Sequence, residues 1–193
     1  MQTYGHAPKA AMIQEWKGKV ADLVQNHVKG SRPSLSDKVA KLVKEMARES
    51  NQVSGKWMVF ENQTRDMEGK WSKVKLALAR STLGPVAKLS ESQCAGGRVM
   101  CIYTKSFEDF TDIRRVLHSL HDVGIHPTCW KADIMTYIGL YNSKNSDKEG
   151  IVVSGLPMGW FTPKMCNMLP ESKTFAAAEA VVKEYSSSSS KDL

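Results

Sequence analysis

The chain has 193 residues, 41% of them hydrophobic and 24% charged, a mixture suited to one globular domain and unlike a disordered or fibrous chain. Lys and Arg exceed Asp and Glu by 27 to 20, giving a net charge of +7 that favours polyanionic partners. No apolar run approaches the roughly 18 residues that a membrane-spanning helix requires.

Met1 to Lys9 lacks the basic and apolar pattern of a secretory leader, so a cytoplasmic chain is expected, with nuclear entry left open. Cys94, Cys101, Cys129 and Cys166 stand at irregular spacings without a CxxC pair, and in that setting they read as reduced thiols. The charge is unevenly spread. Residues 1–90 carry 16 basic and 8 acidic side chains, and residues 91–193 carry 11 and 12. A positive first half suits RNA or an acidic protein surface, although scattered lysines also keep helices soluble.

The first fifty residues are expected to form two helices, an extension packing on the core. Met12, Trp16, Val20, Leu23 and His27 recur at helical spacing, and Gly30 and Pro33 end the segment. Ser34 to Asp37 is a capping pattern ahead of a second stripe, Leu35, Val39, Leu42 and Met46. The core is expected over 54–185, beginning with a strand from Lys56 to Phe60. A helix from about Asp66 to Arg80 follows, carrying Met67, Trp71, Val74 and Leu78 on one face.

Leu83-Gly84-Pro85 breaks that helix. Val86 to Leu89 and Val99 to Thr104 then read as strands of an antiparallel hairpin, with a turn at Ala95-Gly96-Gly97. The clearest helix spans about Asp109 to Val123, with Phe110, Ile113, Leu117 and Leu120 inward and Gly124 as its stop. Alternation from Ile134 to Tyr141 predicts a strand, followed by a polar loop to Glu149 and a short strand over Gly150 to Val153. Residues 156–170 are irregular, a last helix is expected over Thr174 to Tyr185, and the serine-rich 186–193 reads as a disordered tail. The order implies an α+β fold, an antiparallel or mixed sheet with helices covering one face.

Chemistry is sparsely signalled. There is no Gly-x-Ser-x-Gly elbow, His-Glu-x-x-His or Walker lysine motif, so a non-enzymatic chain without a cofactor is expected. An unrecognised small-molecule enzyme stays as an alternative. Asp109 and Asp112 are explained by helix capping. His118, His121, His126 and Cys129 cluster in sequence, but no second chelating pair accompanies them, and surface histidines at a helix end explain them more simply.

Aromatic and basic residues are interleaved more suggestively. Exposed rings stack on bases while lysines meet phosphates. Trp57 and Trp71 fit apolar periodicities and read as core, whereas Trp130 and Trp160 fall in expected loops and are the better stacking platforms. Lys88 interrupts an apolar run, and Lys131 and Asp133 abut the Ile134 to Tyr141 alternation. The reading assigns Lys88, Lys105 and Lys131 to phosphate, Tyr103, Trp130 and Tyr137 to stacking, and Asp133 to hydrogen-bond acceptance. Its alternative is an adaptor that docks a protein partner through residues 1–50 or the Met-rich 156–170 segment.

Several stretches resemble the basophilic-leukaemia-expressed protein family: Gly55-Lys56-Trp57-Met58-Val59-Phe60, Trp71, Leu83-Gly84 and Ala87-Lys88-Leu89-Ser90. Val99 to Thr104, Phe107-Glu108-Asp109 and Lys131 to Tyr141 carry the likeness further, over roughly residues 54–141. The resemblance implies a fold similar to that of translation initiation factor 4E, a curved antiparallel sheet backed by helices. It places Lys88 where a phosphate-binding residue of such a fold lies. The paired tryptophans and acidic residue of a cap-binding site are not matched, since neither Trp57 nor Trp130 has a Trp-Glu neighbourhood.

Overall fold

In a computed structural model, residues 7–28, 33–61, 64–90, 98–141, 151–152 and 161–168 are described. The chain forms two compact units, one from 1–54 with 132–160 and the other from 55–131 with 161–193. In chain order the elements are α1 (Ala10–Gln25), α2 (Leu35–Glu49), β1 (Gly55–Glu61), α3 (Thr64–Ala79), β2 (Ala87–Leu89) and β3 (Arg98–Thr104). There follow α4 (Phe110–Asp122), β4 (Cys129–Ala132), α5 (Asp133–Tyr137), β5 (Leu140–Tyr141), β6 (Ile151–Val152) and α6 (Pro163–Met168). The expected turn at 95–97, the 142–149 loop, the 174–185 helix and the 186–193 tail lie outside the described residues.

The second unit holds a four-stranded antiparallel sheet in the order β2-β3-β1-β4, open rather than closed into a barrel. β1 and β3 pair over seven positions, from Gly55 opposite Thr104 to Glu61 opposite Arg98. β2 joins the other side of β3 with Lys88 opposite Cys101. Because strand side chains alternate, this register sorts residues onto two faces. Trp57, Val59, Met100 and Ile102 share one face and are fully buried. The Trp57 indole N–H donates to the Ile113 carbonyl of α4 at 3.0 Å, so this is the face the helices cover. Met67 and Val74 of α3 and Ile113, Val116, Leu117 and Leu120 of α4 supply the rest of that core.

Capping chemistry sets the helix limits. The Ser34 hydroxyl accepts the Asp37 N–H and donates to the Asp37 carboxylate at 2.7 Å, so Ser34 caps α2 as the sequence pattern suggests. The Asp109 carboxylate accepts the Asp112 N–H and starts α4. Three helices end alike. After α2, Gln52 N–H reaches Ala47 and Asn51 N–H reaches Arg48; after α3, Thr82 reaches Ala77 and Ser81 reaches Leu78; after α4, Ile125 reaches Leu120 and Gly124 reaches His121. Each closure puts one residue in the left-handed region: Asn51 at φ 56°, Ser81 at 57° and Gly124 at 74°. Arg115 of α4 ties the turn after α3 in place, donating to the Thr82 carbonyl at 3.0 Å and to Asp112 at 2.7 Å.

The first unit contains α1 and α2, packed through Trp16, Val20, Val39, Val43, Met46 and Ala47, together with α5 and the parallel pair β5 and β6. Here the sequence expectation is corrected. The stretch expected as a strand from Ile134 to Tyr141 is helical over Asp133–Tyr137 and extended only at Leu140–Tyr141. Ile134, Met135 and Ile138 are buried while Thr136 is exposed, a 3.6-residue spacing hidden inside an apparent alternation. Asp133 sits in the first turn, where a carboxylate is favoured, and Gly139 at φ 65° ends the helix.

A Ser81→Gly substitution removes the strain of an L-residue at positive φ and is expected to stabilise the protein by about 1 kcal/mol, read as a rise in denaturant midpoint at unchanged slope.

Candidate functional site: the open sheet face

The register puts three cross-strand rows on the side of the sheet opposite the helices. Lys88, Cys101 and Met58 form the middle row, Val86, Tyr103 and Lys56 the row at one end, and Ser90, Val99 and Phe60 the row at the other. Tyr103 N–H donates to the Val86 carbonyl and Ser90 N–H to the Val99 carbonyl, each at 2.9 Å, so the pairing extends one residue beyond β2 at both ends. This face is chemically graded. Phe60 and Val86 are exposed at 39% and 42%, Lys88 is exposed on the edge strand β2, and Met58, Val99, Cys101 and Tyr103 are half-buried.

Lys56 is buried at 7% exposure, with its ammonium 5.6 Å above the centre of the Tyr103 ring. A cation over the face of a tyrosine is attracted by the ring's negative π cloud, which orients both side chains. Lys131 of β4 is buried at 8%. Its neighbour Trp130 turns to the helix-covered face, donating its indole N–H to the Thr104 hydroxyl at 3.0 Å and meeting the Phe161 ring at 5.5 Å. Alternation therefore places Cys129 and Lys131 on the opposite face. Burial pushes the Cys129 thiol up to about 11, against the smaller pull of the Lys131 charge, and burial pushes Cys166 up to about 12. Both stay as neutral thiols at physiological pH, poor nucleophiles and poor metal ligands.

The seven residues expected to form a site do not all meet. Lys88 and Tyr103 share the open face on adjacent strands, Lys105 is exposed just beyond the end of β3, and Lys131 projects from β4. Trp130 is fully buried and lies in a strand, not a loop, so it offers no stacking surface. The reason is the aromatic contact with Phe161, whose backbone also bridges to Trp130. Trp160, the other loop candidate, lies outside the described residues. Trp57 is core as expected, and Trp71 is half-buried.

Asp133 and Tyr137 belong to the other unit. Asp133 is 6% exposed and accepts the Ser54 hydroxyl at 2.7 Å, while its own N–H donates to the Ser54 carbonyl. Tyr137 follows one turn later, and burial and then the Asp133 charge raise its phenol above the ordinary value. Lys56, Met58 and Phe60 were not singled out from the sequence as ligand contacts. Their signal was the alternation within 56–60, in which every second residue leaves the core face.

At the end of α4, the His121 and His126 rings stand 5.0 Å apart with a 43° tilt. Burial holds His121 below the ordinary imidazole value, and the neighbouring His126 and His118 add to this, against the opposing Asp122 carboxylate. Among the described residues no group of three or more His, Cys, Asp or Glu side chains is placed to hold a metal ion, and no helix is long and apolar enough to cross a membrane.

An open antiparallel sheet, covered by helices on one face and carrying a tyrosine and lysines on the other, defines an α+β protein with a sheet-face candidate site. The chain belongs to the family described as basophilic leukemia-expressed protein Bles03, whose model matches residues 6–139. That match covers the sheet and α1 to α5, and extends the likeness to the first two helices.

Since His121 binds its proton less readily in the folded chain, its contribution to stability is in place above the unfolded value near 6.5 and is lost as pH falls through the lower folded value. A proton-NMR titration is expected to place the His121 midpoint below 6.5, and His126→Gln is expected to move it upward.

Proposed function

We propose that this chain is a non-enzymatic binding protein that contacts RNA or a nucleotide through the open face of its sheet, on a fold similar to that of initiation factor 4E. The observation that carries this reading is the shared face of Lys88 and Tyr103: an exposed ammonium one strand and one row from an aromatic ring. A base laid on Tyr103 directs its phosphate toward the β2 edge, where Lys88 meets it, with Lys105 at the end of β3. Phe60 and Val86 add apolar surface suited to the faces of bases. Lys56 and Lys131 are too buried to track a polymer backbone, and Lys56 acts by orienting Tyr103.

A second reading keeps residues 1–50 as the docking surface of a protein-interaction adaptor. It draws support from α1, which leaves Met12 exposed, and from Val28 just beyond it at 72%.

The test is anisotropy of a labelled short single-stranded RNA at low and high salt. Lys88→Glu is expected to weaken binding at low salt and to reduce the salt slope by about one counterion. Tyr103→Leu is expected to cost about 1–3 kcal/mol, largely independent of salt. Unchanged affinity in both variants, or no binding by the parent chain, overturns the sheet-face reading. Loss of partner capture on removing residues 1–50 from a chain that stays folded would favour the adaptor.

A further inference from the structure

His121 lies in the last turn of α4 and His126 in the segment that follows. Between them the closure at Gly124 reverses the chain, with Gly124 N–H bonded to the His121 carbonyl at 2.8 Å and Ile125 N–H to Leu120 at 2.9 Å. Ile125 and Pro127 are buried on either side of His126, so the loop is pinned at both flanks while the imidazole stays exposed. The outcome is two neighbouring imidazoles on backbone-fixed positions, their planes tilted by 43°.

Their spacing has a chemical meaning. With metal–nitrogen bonds of about 2.0–2.1 Å and a tetrahedral angle, the centres of two ligating imidazoles fall about 5 Å apart. The observed separation is 5.0 Å. We propose that His121 and His126 form a two-imidazole site for a divalent transition-metal ion of the zinc class, its shell completed by water. The end of a helix carries partial negative charge from its last carbonyls, which favours a cation there. Lys73 of α3 already exploits this, its ammonium donating to the Val123 carbonyl at 3.2 Å.

The charged and titratable groups around the pair are His118, one turn earlier on α4, Asp122 beside His121, and the Lys73 ammonium from α3. Lys73 opposes the ion, and Asp122 favours it. Cys129, adjacent in sequence, is excluded as a donor, because it is buried in β4 and its thiol resists ionisation.

The test uses the full chain and zinc ion alone, followed through the ring-proton NMR signals of each histidine at a pH above 6.5, with the variants His121→Gln and His126→Gln as controls. The expected result is that both resonances shift together to saturation at one equivalent. Either variant should lower the affinity of this site by roughly ten-fold or more, as loss of an intramolecular second contact requires. Both variants should keep the parent circular dichroism. Independent shifts with different midpoints, no shift at millimolar zinc, or an unchanged His121 response in His126→Gln would each overturn the site.

Discussion

The pairing of β1 with β3 is the constraint from which the rest of the larger unit follows. Seven consecutive partners leave no freedom to slip, because a shift of one residue would carry Trp57 and Val59 to the open face and Met58 and Phe60 into the core. The Trp57 indole then fixes α4 by its bond to the Ile113 carbonyl, without which the buried indole N–H would lose its partner. Arg115 passes the same constraint to the turn before β2 by holding the Thr82 carbonyl. Gly84 completes the arrangement: a Cβ there would collide with the Tyr103 carbonyl, so the chain can enter β2 only because this residue has no side chain.

Much of this was legible before any coordinates. Strands that alternate cleanly, such as 56–60 and 99–104, and helices with uninterrupted stripes, such as that of Phe110 to Leu120, declare themselves through burial alone. The failures share a cause. Cys129–Ala132 is buried at every position, so it carries no alternation to mark it as a strand, and Trp130 within it reads as a loop residue. The Ile134 to Tyr141 stretch has the converse difficulty, since five helical residues are too few for their period to outweigh a chance alternation. Where a signal depends on contact with a distant segment, as for Trp130 and Phe161, it is absent from the local sequence.

The candidate site divides by the same logic. Lys88 and Tyr103 could be found because a charge and an aromatic in strands of period two stand out against apolar neighbours. Their presence on one face depends on which strands pair, and only the β2-β3-β1 order supplies that. The two buried lysines show the opposite limit. A lysine written beside a strand gives no indication whether its ammonium reaches solvent or is held inside, and Lys56 is placed by the Tyr103 ring over which it lies.

β2 is a terminal strand of only three residues, and it bonds to β3 through Val86, Lys88 and Ser90, so the peptide groups of Ala87 and Leu89 point outward from the sheet. Such an edge invites another chain to add itself, and a short strand bearing a central lysine is how natural sheets discourage this. Lys88 thereby protects the edge of the sheet from self-association. A chain that replaced it with an apolar residue would acquire a template for its own aggregation.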